Sequence, residues 1–327
     1  MDAGDVVAIY DLPKHIWVTP DVLDTRLGTG AGPLHFDVLT PVPVAGDPLL
    51  DITLSPSLPG VPSDNEKLAD KPWVTEYATE DDERSIALTR VAFVASPSAN
   101  RDLPTHRLEK GDRRAGLAYT LLDRIDDWFD ALRSWIEVLT QQDLNHRHPS
   151  YDVQFPAEGL FLWSDDQFKA PGQIKLNWPQ FRPLSMPLWA WALEQVAADR
   201  RPATEHLLMR DARAALARTD TRRAVLDAAT AVEVVLSNEL GRALDSLARP
   251  SKTALLGEMR TLGRLADLVP SLRPDLAATK AELQKVTSAR NATTHRGETP
   301  TPTDVAEVLK ISHKLVTEHS DLGMPSH

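Results

Sequence analysis

The chain has 327 residues, 42% of them hydrophobic and 25% charged, so we expect a folded protein with room for two domains. It contains no cysteine, which excludes disulfide bonds, cysteine nucleophiles and zinc sites built from cysteine. No apolar stretch approaches the roughly 20 residues of a membrane-spanning helix, and the acidic residues 1–5 do not resemble a secretory signal. We therefore expect a cytoplasmic protein with no membrane partner.

The net charge of −11 is unevenly distributed along the chain. Residues 1–200 hold 18 Lys and Arg against 31 Asp and Glu, whereas residues 201–327 hold 18 against 16. Phosphate contacts need local positive charge, so a nucleic-acid partner is easier to place on the C-terminal part. An acidic surface also serves solubility alone, and the charge by itself leaves both interpretations open.

Short segments of alternating or β-branched residues follow one another through the first 110 residues, each bounded by proline, glycine or aspartate. They are residues 6–10, 15–18, 34–38, 50–54 and 85–94. Residues 28–32, Gly-Thr-Gly-Ala-Gly, lack the Lys-Ser/Thr of a phosphate-binding loop and are predicted to form a turn.

From Ala115 to Leu139 apolar residues recur at helical spacing, which predicts a long amphipathic helix. A shorter helix begins near Pro187 and runs toward Arg201-Pro202. Because a proline disfavours helical geometry in the residue before it, this dipeptide is the preferred domain boundary, and a kink at the same position is the alternative. Residues 1–200 are thus predicted to be a β-rich region that carries one long amphipathic helix.

Beyond Pro202 the pattern is almost wholly helical, which predicts a compact all-α bundle over residues 201–327 and an α+β chain as a whole. The predicted helices cover about residues 203–218, 221–247, 252–268 and 275–291, followed by a last helix after Thr301-Pro302-Thr303. Pro270 and Pro274 are expected to break the third of these elements.

Residues 288–297, Ser-Ala-Arg-Asn-Ala-Thr-Thr-His-Arg-Gly, place an arginine and a histidine five positions apart near the end of a predicted helix. This segment resembles the R-x4-6-H signature of HEPN domains, including the polar residue directly after the arginine. An N-terminal helical hairpin, a penultimate helix that ends in the motif and a closing helix after a proline-containing turn also match that family. The resemblance covers residues 201–327.

The chemistry can be argued from the residues alone. Cleavage of RNA by the neighbouring 2′-hydroxyl needs a group that exchanges a proton near neutral pH, which His295 supplies, and a fixed cation for the phosphate, which Arg290 supplies. Five positions on an ideal helix separate two side chains by about 140°. The pair therefore converges best if the helix ends near Thr294, so that His295 turns on the terminal residues.

The resemblance implies that Arg290 and His295 are catalytic, that Asn291 orients the phosphate or the histidine, and that two copies form one composite cleft without metal or cofactor. Arg296 would add a phosphate contact. Glu233 flanks an apolar helical stripe where an unpaired carboxylate is costly, so we expect it to hold Arg290. The alternative is that Arg290 binds a helix end or a carboxylate and His295 is only a capping residue.

The function implied by the resemblance is a metal-independent endoribonuclease that acts on RNA as a homodimer in antiphage defence, as a toxin or in stress. A regulatory partner or antitoxin belongs to this expectation. HEPN toxins paired with a nucleotidyltransferase antitoxin commonly carry tyrosine two residues after the histidine, where this chain has Gly297. The better match is to Apea-like bacterial defence ribonucleases, in which residues 1–200 would sense a signal or restrain the nuclease.

A second hypothesis is a non-catalytic HEPN module for dimerisation or for binding nucleotides or RNA, with the N-terminal region as ligand sensor. The other histidines give weaker indications of a functional site. His146 and His148 lie two positions apart without a carboxylate pair at ligand spacing and are predicted to be surface residues. His313, His319 and His327 are predicted to be exposed and without a specific role.

Overall fold

The computed structural model describes residues 5–43, 55–59, 61, 72–80, 83–103, 113–144, 162–164, 167–169 and 182–324. The chain divides into two compact units, Met1–Arg200 and Arg201–His327. It is an α+β protein, with an antiparallel sheet near the N-terminus followed by helices. None of the helices in the described ranges is long and apolar enough to span a membrane.

The sheet of the first unit is built around one long strand. Its strands are β1 (Val6–Val18), β2 (Arg26–Ala31), β3 (Leu34–Leu39), β4 (Val74–Glu80) and β5 (Glu83–Ala95), in the order β1-β5-β3-β2. β5 pairs with β1 on one side, and with β4 and β3 at successive parts of its other side. A short 3-10 helix, Pro20–Val22, follows β1.

The predicted strands at residues 34–38 and 85–94 are confirmed. Those at 6–10 and 15–18 belong to the single strand β1, whose pairing register shifts between Asp11 and Ile16. The predicted turn at residues 28–32 is wrong, because Gly28 to Ala31 pair with β3 and only Gly32, with φ of 60°, turns the chain. Pairing with a neighbouring strand overrides the weak strand propensity of glycine. Residues 50–54 lie outside the described residues.

The described residues of the first unit also form two helices and a small hairpin: α1 (Arg113–Thr140), β6 (Leu162–Ser164), β7 (Gln167–Lys169) and α2 (Met186–Ala197). α1 is the predicted long amphipathic helix. Its Trp128 packs edge-on against Phe36 and Phe93 of the sheet. The Trp128 indole donates to the Thr29 hydroxyl at 3.3 Å, and that hydroxyl donates to the Leu193 carbonyl of α2 at 3.1 Å. Sheet and helices thus share one core.

Six helices form the described part of the second unit: α3 (Thr204–Ala217), α4 (Thr221–Ala243), α5 (Arg249–Glu258), α6 (Leu262–Leu272), α7 (Lys280–His295) and α8 (Pro302–His319). α4 packs against each of the other five. Its buried positions are mostly alanine and valine, which lets the neighbouring helices approach closely. The core is aliphatic throughout, since residues 201–327 contain no Phe, Trp or Tyr.

Several helix boundaries differ from those predicted. The third predicted element is two helices, α5 and α6, and Pro270 lies inside α6 rather than ending it. A proline in the last turn removes only one helical hydrogen bond, so the helix tolerates it. α7 begins at Lys280, not near Asp275, because Thr279 and Glu282 form a capping box there.

The helical bundle of the second unit has two ends with different polar groups. The motif end contains the start of α4 and the end of α7, and the opposite end contains the ends of α4 and α8 together with the start of α3. At the opposite end the Ser320 hydroxyl donates to Glu205 at 2.6 Å, and His206 Nε2 donates to the Ser320 carbonyl at 2.9 Å. Burial lowers the pKa of His206.

Thr219 should be a source of backbone strain. It occupies the left-handed position that ends α3 (φ 62°), where a β-branched residue is disfavoured and glycine is preferred. We expect Thr219→Gly to raise the free energy of unfolding by about 1 kcal/mol. Gly297, with φ of 69° after α7, is the matched control. Gly297→Ala should lower stability by about 1 kcal/mol, and equal signs in urea denaturation would contradict this account.

His206 should make stability depend on pH. Because its pKa is lowered in the folded protein, the unfolded chain binds the proton more readily, and stability falls as pH drops below about 6.5. In His206→Gln this contribution is absent, and the amide can still donate to Ser320. The loss of stability between about pH 8 and pH 5.5 should be smaller in the variant than in the wild type. Equal losses in urea titrations would show that burial of His206 has no such effect.

Candidate functional site

The motif lies at the end of α7. The helix continues through His295, one residue beyond the end predicted for convergence of the pair, and Arg296 still has near-helical torsion angles (φ −99°, ψ −8°). Gly297 then turns the chain in the left-handed region. The Ala292 carbonyl accepts hydrogen bonds from the Arg296 and Glu298 amides, each at 3.2 Å. His295 therefore stays in helical register with Arg290.

The burial of α7 shows which way the motif residues face. Leu283, Val286 and Thr293 are buried against the core, whereas His295 is exposed. On a regular helix His295 points away from that buried side, and Asn291, four positions earlier, shares its face. Arg290 is half-buried and lies about 140° from His295 around the axis. One copy of the chain thus brings Asn291 beside His295 but does not bring Arg290 to it.

The side chains of Arg290, Asn291 and His295 make no hydrogen bond or ion pair within the part of the chain that the structure describes. The alternative in which Arg290 binds a helix end or a carboxylate is therefore not what the structure contains. His295 is the last helical residue, but its ring bonds no carbonyl among the described residues. All three groups are available to a ligand.

Arg222, in the first turn of α4, binds the end of the motif helix. Its Nη2 donates to the Thr293 carbonyl at 3.2 Å and its Nη1 to the Gly297 carbonyl at 3.1 Å. Carbonyls at a helix C-terminus lack intrahelical partners, and a cation there interacts favourably with the helix dipole. The sequence pattern did not single out Arg222, because the contact joins residues 71 and 75 positions apart.

Arg296 and Glu233, the two residues predicted to support the site, differ in their contacts. Arg296 is exposed beside His295 and pairs with Glu298, which lowers the pKa of that carboxyl. An exposed ion pair is weak, so Arg296 can exchange this partner for a phosphate. Glu233 is half-buried on α4 and forms no ion pair or hydrogen bond with Arg290, so the expected contact is absent.

A polar cluster at the opposite end was missed in the sequence. Glu239 of α4 is fully buried and binds Arg242 and Arg273, while Arg273 also pairs with Asp275 at 2.8 Å. These residues line a pocket of about 420 Å³. The Arg273 hydrogen bond lowers the pKa of Asp275 to about 2. A signal existed, since Glu239 lies four positions after Val235 and three after Leu236, within the buried stripe of α4.

His319 belongs to this cluster, and the prediction that it is exposed is wrong. Its side chain is 8% exposed, its Nε2 accepts a hydrogen bond from the Ala277 amide at 2.9 Å, and its Nδ1 lies 3.6 Å from Glu239. The neutral ring therefore carries its proton on Nδ1, facing the carboxylate. His295 and His319 each end a helix, but only His319 has a ring hydrogen bond and a carboxylate beside its other nitrogen.

No group of three or more His, Cys, Asp or Glu side chains that could hold a metal occurs among the described residues. His146, His148 and His327 lie outside the described residues. His313 is exposed on α8. The motif and the polar cluster are thus two separate features of the second unit.

Glu239 should matter for stability far more than Glu233, although both lie on α4. Glu239→Ala leaves Arg273 and His319 without their buried carboxylate and opens space, so we expect a loss of about 3 kcal/mol. Glu233→Ala is the matched control and should change stability by less than about 0.5 kcal/mol. Urea denaturation followed by far-UV circular dichroism measures both, and a larger loss for Glu233 would contradict the structure.

Comparison of the chain with protein-family models, with curated proteins and with solved structures finds no significant match.

Proposed function

We propose that the chain is a metal-independent endoribonuclease of the HEPN type, whose active site combines the motifs of two copies. The observation that carries the proposal is the state of the motif: His295 exposed beside Asn291 at a fixed helix end, and Arg290 without a partner among the described residues. Arg290 and His295 thus lie at the same helix end with side chains that no described residue binds, and this supports a role for both in binding a ligand.

The proposed reaction uses the RNA's own 2′-hydroxyl as nucleophile. His295 accepts the hydroxyl proton, the 2′-oxygen attacks the adjacent phosphorus, and the bond to the 5′-oxygen breaks as that oxygen takes up a proton. The products are a 2′,3′-cyclic phosphate and a 5′-hydroxyl end. Arg290 stabilises the charge on the phosphate oxygens with its planar fork of donors, and Asn291 orients the phosphate or the imidazole.

The geometry of α7 supports an active site shared between two copies. Because the helix continues through His295, Arg290 of the same copy faces a different direction by about 140°. A second copy related by twofold symmetry can present its Arg290 to the His295 of the first. The homodimer is therefore part of the proposed mechanism.

The composition of the second unit supports a particular kind of RNA recognition. Residues 201–327 contain no Phe, Trp or Tyr, so this unit offers no aromatic platform for stacking bases. Arg290 and Arg296 supply phosphate contacts instead. Recognition by phosphate contacts tolerates many sequences and weakens steeply with salt. We infer a substrate chosen by access to the backbone rather than by base identity.

Residues 1–200 belong to the proposal as a sensor or restraint. They form a separate compact unit of sheet and helices, whereas the motif lies wholly in the second unit. A role in defence, as a toxin or in stress, in the cytoplasm and with a regulatory partner or antitoxin, accords with such an arrangement.

The second candidate is a non-catalytic module that binds RNA or nucleotides or mediates dimerisation. The observation that favours it is that Arg290 and His295 do not converge within one copy. Phosphate binding at Arg290 and Arg296 would then proceed without cleavage. Both candidates use the same residues and differ in whether the 2′-hydroxyl loses its proton.

The two candidates are distinguished by cleavage of labelled RNA in EDTA. We expect wild-type cleavage with cyclic-phosphate ends, reduced about 10²- to 10³-fold or more in Arg290→Ala and in His295→Ala. His313→Ala, which changes an exposed histidine of α8, is the matched control and should cleave like the wild type. Binding of labelled RNA without cleavage would favour the non-catalytic module.

Mixing the two inactive variants tests the shared site. In a mixed dimer of Arg290→Ala and His295→Ala, one of the two sites keeps both residues, so random mixing should restore about one quarter of wild-type activity. A mixture that stays inactive would show that both residues act from the same copy.

A further inference from the structure

Arg222 donates hydrogen bonds to backbone carbonyls before and after His295, the proposed catalytic histidine. The two carbonyls that it binds belong to Thr293 and Gly297, so His295 is the central residue of the five-residue segment between them. The two contacts of Arg222 therefore lie on either side of the backbone that carries the imidazole. No other residue among those described donates a side-chain hydrogen bond to either carbonyl.

The two sides of this segment are held unequally. Thr293 is fully buried, and its hydroxyl donates to the Ala289 carbonyl at 2.9 Å, so the core fixes it without Arg222. Gly297 is exposed, and a side chain added to it would meet no atom within 4 Å. Its carbonyl is held by Arg222. The residues on either side of it, Arg296 and Glu298, share the Ala292 carbonyl through their amides and form an exposed ion pair with each other.

Arg222 lies in a helix start that is itself held in place. The Asp220 carboxylate caps α4 by accepting the Arg223 amide at 3.0 Å, and Thr221 is buried at the start of the helix. A guanidinium with two parallel donors can bind two carbonyls at once, whereas a lysine ammonium lacks this planar fork. The first turn of α4 is thus suited to hold the end of α7.

We propose that Arg222 is a positioning residue of the active site, which fixes the His295 imidazole by binding the Thr293 and Gly297 carbonyls. This inference rests on the proposed ribonuclease function for its catalytic consequence, but the structural part stands by itself. Without Arg222 the last turn of α7 frays, and the imidazole samples orientations that do not face the 2′-hydroxyl. Small errors in the placement of a catalytic group lower the turnover rate strongly.

The test compares Arg222→Ala, Arg222→Lys and Arg264→Ala in the full-length chain. Arg264 is the matched control, because it is an arginine that donates to the Glu258 carbonyl, at the end of α5 and away from the motif. Hydrogen exchange of the amides in residues 293–298 should become at least about tenfold faster in Arg222→Ala, with an intermediate value for Arg222→Lys. Arg264→Ala should leave these amides at the wild-type rate.

RNA cleavage gives the second measurement. We expect Arg222→Ala to lower kcat by about 10- to 100-fold while KM changes by less than about threefold, because the residue acts on His295 and not on the substrate. Arg264→Ala should retain wild-type kcat. A raised KM at unchanged kcat would show that Arg222 binds RNA directly and would overturn the positioning role.

The exchange data decide the inference even if the chain cleaves no RNA. Wild-type exchange at residues 293–298 in Arg222→Ala overturns it, and so does wild-type exchange and turnover in Arg222→Lys, since charge alone would then suffice. If the wild type cleaves no RNA but exchange is faster in Arg222→Ala, the result supports the hold of Arg222 on the end of α7 and refutes the proposed ribonuclease. The failure of one proposal is thus distinguishable from the failure of the other.

Discussion

The burial of α4 is the constraint on which the second unit depends. This helix packs against every other described helix of the unit, and its alanine-rich surface allows them to approach closely. Polar side chains are costly in such an aliphatic environment unless they are paired. The charged residues of α4 that organise other helices therefore lie toward its ends, Arg222 at one and Glu239 with Arg242 at the other. Arg222 and Glu239 are separated by about 26 Å along the helix.

The two ends use their polar groups in different ways. Around Glu239 the charged groups are engaged with one another: two arginines and a histidine surround one buried carboxylate, and they join α4 to α8 and to the segment before α7. At the motif end Arg222 completes the helix terminus, while the side chains of Arg290 and His295 stay unengaged among the described residues. Exposed or half-exposed groups can remain so because water solvates them at little cost. The contrast between His319 and His295, each the last residue of a helix, supports the proposal that places the function at the motif end.

The proposed mechanism follows from how rigid this end is. A capping box begins α7, the core fixes Thr293, and Arg222 holds the carbonyls on both sides of His295, so the helix stays regular through the histidine. Such regularity directs Arg290 away from His295 in the same copy. A shared site between two copies resolves this geometry, since preorganised groups from two rigid helix ends can meet on one phosphate.

Local patterns in the sequence determined much of this protein. Apolar spacing predicted the helical second unit and the long helix α1, and capping residues predicted the start of α8. The motif indicated Arg290, Asn291 and His295 as candidate site residues. Each of these predictions depends on residues that are close together in the chain. Tertiary contacts decided the rest. Pairing with β3 made residues 28–31 a strand, contacts with Arg242 and Arg273 made Glu239 part of a polar cluster, and contacts with Ala277 and Glu239 buried His319. The hydrogen bond from Arg222 to the Gly297 carbonyl joins residues 75 positions apart, and only the packing of α4 beside α7 could bring these residues together.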